Sequence, residues 1–516
     1  MQSENTNPLL FQRILRGLVR LVKSHRIPLF SALFFGFLAH AFAFTNKLVN
    51  HDEVQSLFSK GGTVILGRWG LGALDSVFPN VSMPWIYGVM TLFLLAVSVC
   101  ILVRVLRIRD KGMQALAAGL VITFPSLTGT FGYMFTSSSY GVAFLLAVLS
   151  VWLLQGKCVW YRLGALMCMV LSLSIYQAYV SITASLLVLV LIRQLLDDGD
   201  AAAVFRRGLC YVLFLALGLG LYFGLTQVVL RLKHVQMGAY ASGSIAFDMR
   251  ALPGNILLAY RAFFLNFREI ALGLIPTAVS RGVHLLLLGC AAVLLIFLTA
   301  GKGRKPASLL LLSALVAALP LAVNCMYLFT TPQSIHTLVM YSFVCVYLLV
   351  LVLADEGLVS AGSRARLLRR VCLNGVVVLS AVIILVNTYV ANEAYLTLHL
   401  RYENAYAFYT ALLADLRQSP EFTEGTRLAV IGTWDDPDFY EKELDFTNSL
   451  TGVTGFKPDS YSNQRFLQYY IGLSIPLASP EEMDQIAATA EYAAMPRYPY
   501  YGSTQKMGDI MVVKLS

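Results

Sequence analysis

Residues 83–103 read MPWIYGVMTLFLLAVSVCILV, a run of mostly apolar residues without a charged side chain. A helix needs about 20 such residues to cross the hydrocarbon core of a bilayer, because each residue adds only about 1.5 Å of length. This run is long enough to span a membrane. Ten similar runs occur between Ile27 and Ala391, so the sequence predicts eleven transmembrane helices. They are predicted at residues 27–46, 83–103, 113–129, 140–155, 162–178, 179–196, 209–230, 282–300, 307–329, 336–354 and 371–391.

The composition of the 516-residue chain agrees with a polytopic α-helical membrane protein. Its mean hydropathy is +0.68 and only 13% of its residues are charged, values that exclude a soluble protein of this length. All eight cysteines lie in or beside the predicted spans, so we expect no disulfide in the polar C-terminal part. The sequence contains no Walker loop, so nothing in it favours ATP-driven transport.

Basic residues in the short loops predict the orientation of the chain. Lys and Arg gather before the first predicted span and after the second, and such residues favour the cytoplasmic side. Residues 1–26 are therefore interpreted as a basic, amphipathic cytoplasmic head, and an odd number of spans places the C-terminus outside. The net charge of +10 then reflects membrane topology and not nucleic-acid binding. The basic residues are Arg13, Arg16, Arg20, Lys23 and Arg26 in the head, and Arg104, Arg107, Arg109 and Lys111 after the second span.

Residues 392–516 have the polarity of a soluble domain, with nine Lys and Arg against 17 Asp and Glu. We predict a small external α/β domain here, attached to a transmembrane domain at residues 27–391. Its predicted elements are helices at residues 398–416 and 480–490 and strands at residues 427–432 and 510–515.

Two long external loops, at residues 47–82 and 231–281, are predicted to carry short helices that lie in the membrane interface. In the first loop, apolar side chains recur at helical spacing on both sides of Gly61-Gly62. In the second loop, a helical pattern begins around Pro253, a residue suited to the first turn of a helix.

The tripeptide His51-Asp52-Glu53 in the first loop places two carboxylates close to the end of the first predicted span. Transfer of a sugar from a lipid phosphate to a hydroxyl needs a general base for the acceptor proton and a cation for the departing phosphate. Asp52 and Glu53 are therefore candidate catalytic residues. The structural alternative is a solvated loop, or an N-cap for the next helix, since Asp is favoured at helix starts.

Four basic residues are candidates for binding the donor phosphate. Arg68 lies in the same loop, beside Trp69. Arg261 and Arg268 are seven residues apart and so share one helix face, and His336 opens the tenth predicted span. The structural alternatives are interfacial anchoring for Arg68, snorkelling to bulk lipid headgroups for Arg261 and Arg268, and helix packing for His336.

An acidic cluster in the C-terminal domain lacks the spacing and the turn glycine of a calcium loop, so we interpret it as a solvated loop. No metal ligands are assigned in the sequence, although a divalent cation at Asp52 and Glu53 is left open. The cluster consists of Asp435, Asp436, Asp438 and Glu441.

The acidic pair in the first external loop resembles the pattern of the GT-C superfamily of membrane glycosyltransferases, in which such a pair follows the first span. The chain is more closely similar to the Gtr-type serotype-converting glucosyltransferases of bacterial surface polysaccharides, over nearly its full length. The motifs that carry this resemblance are His51-Asp52-Glu53, Gly67-Arg68-Trp69, Tyr176-Gln177, Met495-Pro496-Arg497-Tyr498-Pro499 and Val512-Val513-Lys514-Leu515.

The resemblance implies a GT-C-like fold in the bacterial inner membrane and a hexosyltransferase that uses a polyprenyl-phosphate sugar, such as undecaprenyl-phosphate-glucose. The acceptor would be a surface glycan such as O-antigen, on the external face. By the same resemblance Asp52 is the base, Glu53 orients the acceptor or assists Asp52, and Arg68 contacts the donor phosphate. Some GT-C enzymes use a divalent metal and others do not, so metal dependence stays open, as does the stereochemistry.

Two other functions remain open at this point. A surface-polysaccharide polymerase or ligase would use a pyrophosphate-linked donor and concentrate arginines in external loops, as residues 231–281 do. A flippase or exporter of lipid-linked sugar would carry charged residues along its spans, where this sequence has almost none. The external domain favours an enzyme, and its tyrosines predict that it binds the acceptor or covers the site. These are Tyr461, Tyr469, Tyr470, Tyr498, Tyr500 and Tyr501.

Overall fold

The structure is a computed structural model, mostly helical with a small C-terminal sheet. It describes the greater part of the chain, in segments separated by short gaps. The described residues are 24–58, 63–77, 81–197, 200–238, 250–272, 278–300, 305–328, 336–359, 366–423, 425–434, 450–453, 456, 458–459 and 462–516.

Helices of very different length follow one another through the first four-fifths of the chain. The α-helices are α1 (Arg26–Thr45), α2 (His51–Ser56), α3 (Trp69–Asp75), α4 (Pro84–Val105), α5 (Lys111–Ile122), α6 (Pro125–Gly132), α7 (Met134–Leu154), α8 (Val159–Ile175), α9 (Val180–Leu196), α10 (Ala201–Leu232), α11 (Leu252–Leu272), α12 (Ala278–Ala300), α13 (Pro306–Val323), α14 (Val344–Val359) and α15 (Arg366–Gln418). Short 3-10 helices lie at Val64–Leu66, Gln177–Tyr179, Cys325–Leu328 and Thr337–Phe343.

Nine helices within the described residues are long and apolar enough to cross a membrane, which makes this a multi-span membrane protein. The predicted count of eleven is not confirmed. Of the other two predicted spans, the one at 113–129 is a pair of helices, α5 and α6, bent by 44°. The one at 162–178 is α8, which has 17 residues, fewer than the roughly 20 that a straight crossing needs.

The bend between α5 and α6 follows from Pro125. Proline has no backbone N–H to donate, and its ring clashes with the preceding turn. The first helix therefore ends at Ile122, and a new helix starts with Pro125 in its first turn. A hydropathy pattern contains no information about a missing hydrogen-bond donor. The sequence therefore predicts one uninterrupted span at residues 113–129.

The centre of the bundle is formed by α9 and α14, most of whose residues are buried. Around them α4, α7 and α8 pack side by side. On the outside, α10, α12 and α13 expose apolar side chains such as Leu213, Leu286 and Leu310. Exposed leucines on long helices are expected where a helix faces lipid, because lipid tails are as apolar as leucine itself.

The longest helix, α15, has 53 residues and extends about 80 Å at 1.5 Å per residue. The sequence predicts two separate helices here, a span at 371–391 and a polar helix at 398–416. The residues between them include no Gly or Pro, so no residue interrupts the backbone hydrogen bonds and the helix continues. Its second half enters the core of the C-terminal domain, where Leu412 and Leu416 are buried.

Within the described residues, the C-terminal sheet has three strands in the order β1-β3-β2. Strand β1 (Arg427–Ile431) pairs in parallel with β3 (Ile510–Lys514), and β2 (Thr504–Met507) pairs with β3 antiparallel. The strands predicted at residues 427–432 and 510–515 are thus found. β2 was not predicted, because its sequence TQKM has no run of strand-forming residues.

Three short helices accompany this sheet. They are α16 (Asn463–Tyr469), α17 (Pro480–Ala487) and α18 (Ala490–Ala494). The helix predicted at residues 480–490 appears as α17. It starts at a capping box, in which the Ser479 hydroxyl accepts from the Glu482 backbone N–H and the Glu482 carboxylate accepts from the Ser479 backbone N–H.

The helices of the two long loops pack against other parts of the protein. Val54 of α2 is fully buried in a cluster with residues of α15 and the C-terminal domain. Phe263 of α11 stacks on Phe343, with ring centroids 5.3 Å apart. Other apolar side chains of the predicted interfacial pattern, such as Val77 and Phe264, are exposed, so protein neighbours cover these helices only in part. That the helices lie in the membrane interface stays a prediction.

Candidate functional site

The acidic pair of the first loop lies in the first turn of α2. Asn50 is the N-cap of this helix, and its side-chain carbonyl accepts a hydrogen bond from the backbone N–H of Glu53 at 2.9 Å. Consecutive residues of a helix point about 100° apart, so Asp52 and Glu53 face different surroundings. Asp52 is exposed whereas Glu53 is fully buried. The capping role considered for the acidic pair is thus filled by Asn50.

The Glu53 carboxylate is occupied by protein contacts. Lys47 and Ser82 both donate to Oε1, and the backbone N–H of Phe135 in α7 donates to Oε2 at 3.4 Å. The hydroxyl of Tyr470 donates to the Glu53 backbone carbonyl at 3.4 Å. Burial of a carboxylate is costly unless it is paired in this way. Glu53 therefore links α2 to α7, and its backbone links α2 to the C-terminal domain.

Asp52 is exposed as a residue and, within the described residues, makes no hydrogen bond or ion pair. The surrounding protein nevertheless raises the pKa of Asp52 by desolvation; the positive charge of His51 opposes this rise, and the negative charge of Glu53 adds to it. Exposure combined with desolvation is typical of a side chain in a recess of the surface. A raised pKa also makes Asp52 a stronger base than an ordinary aspartate.

Arg68 is held by three side chains from α7 and from the segment that precedes α9. Its Nε donates to Gln177 Oε1 and its Nη1 to the Tyr140 hydroxyl, each at 3.2 Å. The guanidinium carbon lies 5.2 Å from the centroid of the Tyr176 ring. Gln177 also donates to the Leu66 carbonyl at 2.9 Å, which braces the loop itself. These contacts fix the direction of the guanidinium.

The glycine of the Gly67-Arg68-Trp69 motif is required by its backbone and by its neighbour. Gly67 has φ +73°, and a Cβ there would lie 2.8 Å from the hydroxyl of Tyr222 in α10. That hydroxyl donates to the Gly67 carbonyl at 3.1 Å. Any side chain at this position would therefore displace the loop that carries Arg68. On the other side, Trp69 Nε1 donates to Thr226 Oγ1 at 3.2 Å.

His336 lies immediately before the 3-10 helix Thr337–Phe343 and acts as its N-terminal boundary. Burial and the nearby positive charge of Arg68 both lower the pKa of His336. Its Nδ1 is buried and has no hydrogen-bond partner within the described part of the chain. Since its lowered pKa keeps the imidazole neutral at pH 7, the fixed positive charge at this place comes from Arg68.

The remaining predicted phosphate contacts lie on α11. Arg261 is exposed, and it is two residues from Phe263, which packs inward on Phe343. Two residues correspond to about 200° around a helix, so Arg261 faces away from this packing. Arg268 belongs to the same helix, but its side chain lies outside the described residues. The role of both α11 arginines as phosphate contacts stays a prediction.

Asp52, Glu53, Arg68 and His336, here called the first-loop site, gather at one end of the bundle. Glu53 and Arg68 both contact the first two turns of α7, at Phe135 and Tyr140. Those two residues are about 7.5 Å apart along a helix axis. The 3-10 helix Gln177–Tyr179, whose first residue binds Arg68, contacts the 3-10 helix Thr337–Phe343 that follows His336.

The C-terminal domain packs directly on this site. The His51 Nδ1 atom lies 3.3 Å from Asp459 Oδ2, and the rings of Phe58 and Tyr469 meet edge to face with centroids 5.0 Å apart. Helix α16 contacts α2. Of the tyrosines predicted to bind the acceptor or cover the site, Tyr461 lies outside the described residues.

The sequence model of the family described as glucosyl transferase GtrII matches residues 41–347, more than half of the chain. The chain belongs to this family. No curated protein matches it, and no solved structure matches it. The resemblance to Gtr-type glucosyltransferases is therefore confirmed, and glucosyl transfer is the activity that the family name gives.

The GtrII match includes every predicted residue of the first-loop site and both α11 arginines. It ends before the C-terminal domain, so the contacts of Tyr470 and Asp459 with α2 lie beyond it. The finding supports a glucosyltransferase in general terms. The family match specifies neither the donor, nor the acceptor, nor the roles of single residues.

No group of three or more His, Cys, Asp or Glu side chains within the described residues is arranged to hold a metal ion. The acidic cluster at residues 435–441 lies outside the described residues. All eight cysteines are described and free.

Sequence reasoning missed several residues that hold this GtrII site together. Lys47 and Ser82, the partners of Glu53, are separated by 35 positions, and no local pattern connects them. Tyr140 is likewise distant in sequence from Arg68. Asn50 was detectable, because an Asn three residues before a Glu at the start of a helical run is a capping pattern.

Proposed function

We propose that this GtrII-family protein transfers a hexose, in the first instance glucose, from a polyprenyl-phosphate donor to a surface polysaccharide such as O-antigen. One observation carries the proposal: within a single helical turn, Asp52 is exposed and without a hydrogen-bond partner among the described residues, while Glu53 is buried and fully occupied. Deprotonation of an acceptor hydroxyl needs one accessible base on a rigid support. Helix α2 supplies that arrangement.

In the proposed reaction the acceptor hydroxyl oxygen bonds to the anomeric carbon of the donor sugar, and Asp52 takes the hydroxyl proton. The bond from the anomeric carbon to the phosphate oxygen breaks, and the phosphate leaves with the bonding electrons. Arg68 stabilises the charge that develops on the phosphate, and its fixed guanidinium requires little reorganisation. His336, neutral at pH 7, contributes a hydrogen bond to the phosphate and not a charge.

Glu53 acts as a positioning residue in this proposal. Its carboxylate is taken up by Lys47, Ser82 and the backbone of α7, so it fixes the direction in which Asp52 points. Arg261 and Arg268 are proposed as contacts for the phosphate headgroup of the lipid donor. The exposed position of Arg261 suits a group that approaches from membrane lipid.

We also propose that the reaction takes place on the external face of the bacterial inner membrane. The support is the distribution of basic residues. The loop between α4 and α5 carries Arg107 and Arg109, at the end of α4 opposite to the first loop, and basic loops favour the cytoplasm. Helix α15 likewise carries Arg369 and Arg370 near its start and ends in the domain that packs on α2.

The test uses the purified full-length protein in lipid nanodiscs, with polyprenyl-phosphate-glucose and a candidate surface glycan. We expect glucose on the glycan and an equal amount of released polyprenyl phosphate, and no transfer from a polyprenyl-pyrophosphate sugar. Transfer from the pyrophosphate donor alone would contradict the proposal and favour a polymerase or ligase. Movement of the lipid donor across liposome membranes without chemical transfer would favour an exporter.

A further inference from the structure

We infer that Asn50 is a positioning residue that fixes Asp52 by tying α2 to the C-terminal domain, an inference that rests on the proposed function. Asn50 is only 3% exposed. While its carbonyl caps α2, its amide donates to the backbone carbonyls of Gly132 at 2.8 Å and Gly452 at 3.1 Å. One side chain therefore joins the end of α6, the start of α2 and a segment of the C-terminal domain.

The hydrogen bonds at position 50 suit asparagine, and neither aspartate nor serine can make all of them. The position requires one acceptor for the Glu53 N–H and two donors for the carbonyls of Gly132 and Gly452. An asparagine amide offers both. An aspartate would keep the acceptor but replace the donors with a negatively charged oxygen that faces two carbonyl oxygens. A serine would keep the cap and lose at least one donor.

The segment around Gly452 is seated on α6 through glycines. A Cβ at Gly132 would lie 2.7 Å from the Gly452 carbonyl oxygen, and one at Gly129 would lie 2.8 Å from the Thr451 carbonyl oxygen. Gly129 and Gly132 are three residues apart and so share one face of the helix. Gly452 itself has φ +83°, a conformation that favours glycine. Backbone thus meets backbone at this contact, which leaves little room for displacement.

A second contact attaches the same segment beside His336. The Thr451 backbone N–H donates to Thr337 Oγ1 at 2.7 Å, and the Thr337 hydroxyl donates to Thr451 Oγ1 at 2.9 Å. Residues 450–453 therefore contact two elements of the site. They bind Asn50, which caps α2, and Thr337, which starts the 3-10 helix after His336. The C-terminal domain sets the spacing between the two sides of the first-loop site, although it lies beyond the GtrII match.

Asn50 affects turnover only indirectly. Asn50 is buried beneath α2 and contacts backbone, so it acts on the reaction through the placement of Asp52. A displacement of about 1 Å at a reacting group lowers turnover by up to about 100-fold. Loss of the two amide donors should therefore lower kcat while KM for the donor changes little.

The experiment compares full-length wild type with Asn50→Asp and Asn50→Ser, which both preserve an oxygen for the α2 cap, and with Asp200→Ala as a control. Asp200 caps α10 through the Ala203 N–H, at the opposite end of the bundle from α2. Transfer kinetics are measured in these chains. In parallel, Thr337→Cys and Thr451→Cys are introduced together, and the yield of the 337–451 disulfide under mild oxidation reports whether the segment stays docked.

We expect Asn50→Asp to lower kcat about 10- to 100-fold and to reduce the disulfide yield, with Asn50→Ser intermediate and Asp200→Ala like wild type. Unchanged kcat in Asn50→Asp overturns the inference, whatever the yield. Lowered kcat with an unchanged yield also overturns it, because Asn50 would then act without holding the segment. If wild type itself transfers no sugar, the proposed function fails, and the disulfide yield alone decides whether Asn50 holds the two parts together.

Discussion

Charged side chains gather at both ends of the helix bundle, and the two groups differ in how they are paired. At the end away from α2, Arg193 is only 1% exposed, and its Nη2 lies 3.2 Å from Asp355 and 3.5 Å from Glu356. Asp355 also accepts backbone hydrogen bonds from Arg109 and Asp110, each at 2.8 Å. We call Arg193, Asp197, Asp355 and Glu356 the opposite-end cluster.

The first-loop site contains the same kinds of residue with one difference. Glu53 is buried and paired, as Asp355 and Glu356 of the opposite-end cluster are, but Asp52 beside it is exposed and has no hydrogen bond within the described residues. Buried and paired charges hold elements together, because any loss of a partner leaves an uncompensated charge. An accessible carboxylate with a raised pKa adds little to stability and is available for proton transfer. Whether a carboxylate is buried with a partner, and not only whether it is charged, therefore distinguishes structural residues from candidate catalytic residues in this protein.

Asp52→Asn removes the exposed carboxylate of the first-loop site. We expect transfer to fall about 100- to 10,000-fold, because the base is lost, while the thermal unfolding temperature stays near that of wild type. The measurement is transfer from polyprenyl-phosphate-glucose beside a thermal unfolding curve. Asp484→Asn, at an exposed aspartate of α17, is the matched control and should leave both quantities unchanged. Retained transfer in a folded Asp52→Asn protein would remove Asp52 from the mechanism.

The converse variant is Arg193→Met in the opposite-end cluster. Removal of the cation leaves Asp355 and Glu356 buried without it, which should destabilise the protein by about 3 to 5 kcal/mol. The unfolding temperature in detergent should fall, while turnover per folded molecule stays close to wild type. Arg207→Met changes an exposed arginine and should have little effect on either. A stable Arg193→Met protein with lost turnover would reverse the assignment of the two ends.

Arg68→Lys tests the cation of the first-loop site. Lysine keeps the positive charge but not the planar fork that reaches Gln177 and Tyr140 together. We expect kcat/KM for the lipid donor to fall about 10- to 100-fold, since a charged hydrogen bond to phosphate is worth roughly 1.5–3 kcal/mol. Arg162→Lys, at an exposed position in α8, serves as the control. Equal kinetics in both variants would argue against a phosphate contact at Arg68.

The smallest expected effect is a shift in pH dependence. Asp52 must be deprotonated to accept a proton, and desolvation raises its pKa above the ordinary 3.8, so activity should fall with decreasing pH at a higher pH than for a solvated aspartate. The charge of His51 lowers the pKa of Asp52. His51→Gln should therefore move the acid limb of kcat/KM to higher pH. A limb that stays in place or moves to lower pH would show that another group controls it.

The transmembrane character of the chain could be predicted from its sequence because hydropathy is a sum over neighbouring residues. The strands at Arg427–Ile431 and Ile510–Lys514 could be predicted for a similar reason, since apolar strand-forming residues follow one another there. The points at which a helix ends or continues were harder to predict. Pro125 divides an apolar run, and the second half of α15 continues a membrane helix into a polar region.

In the first-loop site, too, some features could be predicted from the sequence and others could not. The sequence by itself identified His51-Asp52-Glu53 and Arg68, because charged residues are rare next to apolar spans and their presence is conspicuous. Only the tertiary structure decided that Glu53 is buried against Lys47 while Asp52 is open. Residues as distant as Asn50 and Gly452 meet through folding, and burial and hydrogen bonding depend on such neighbours in space, which no local pattern of residues encodes.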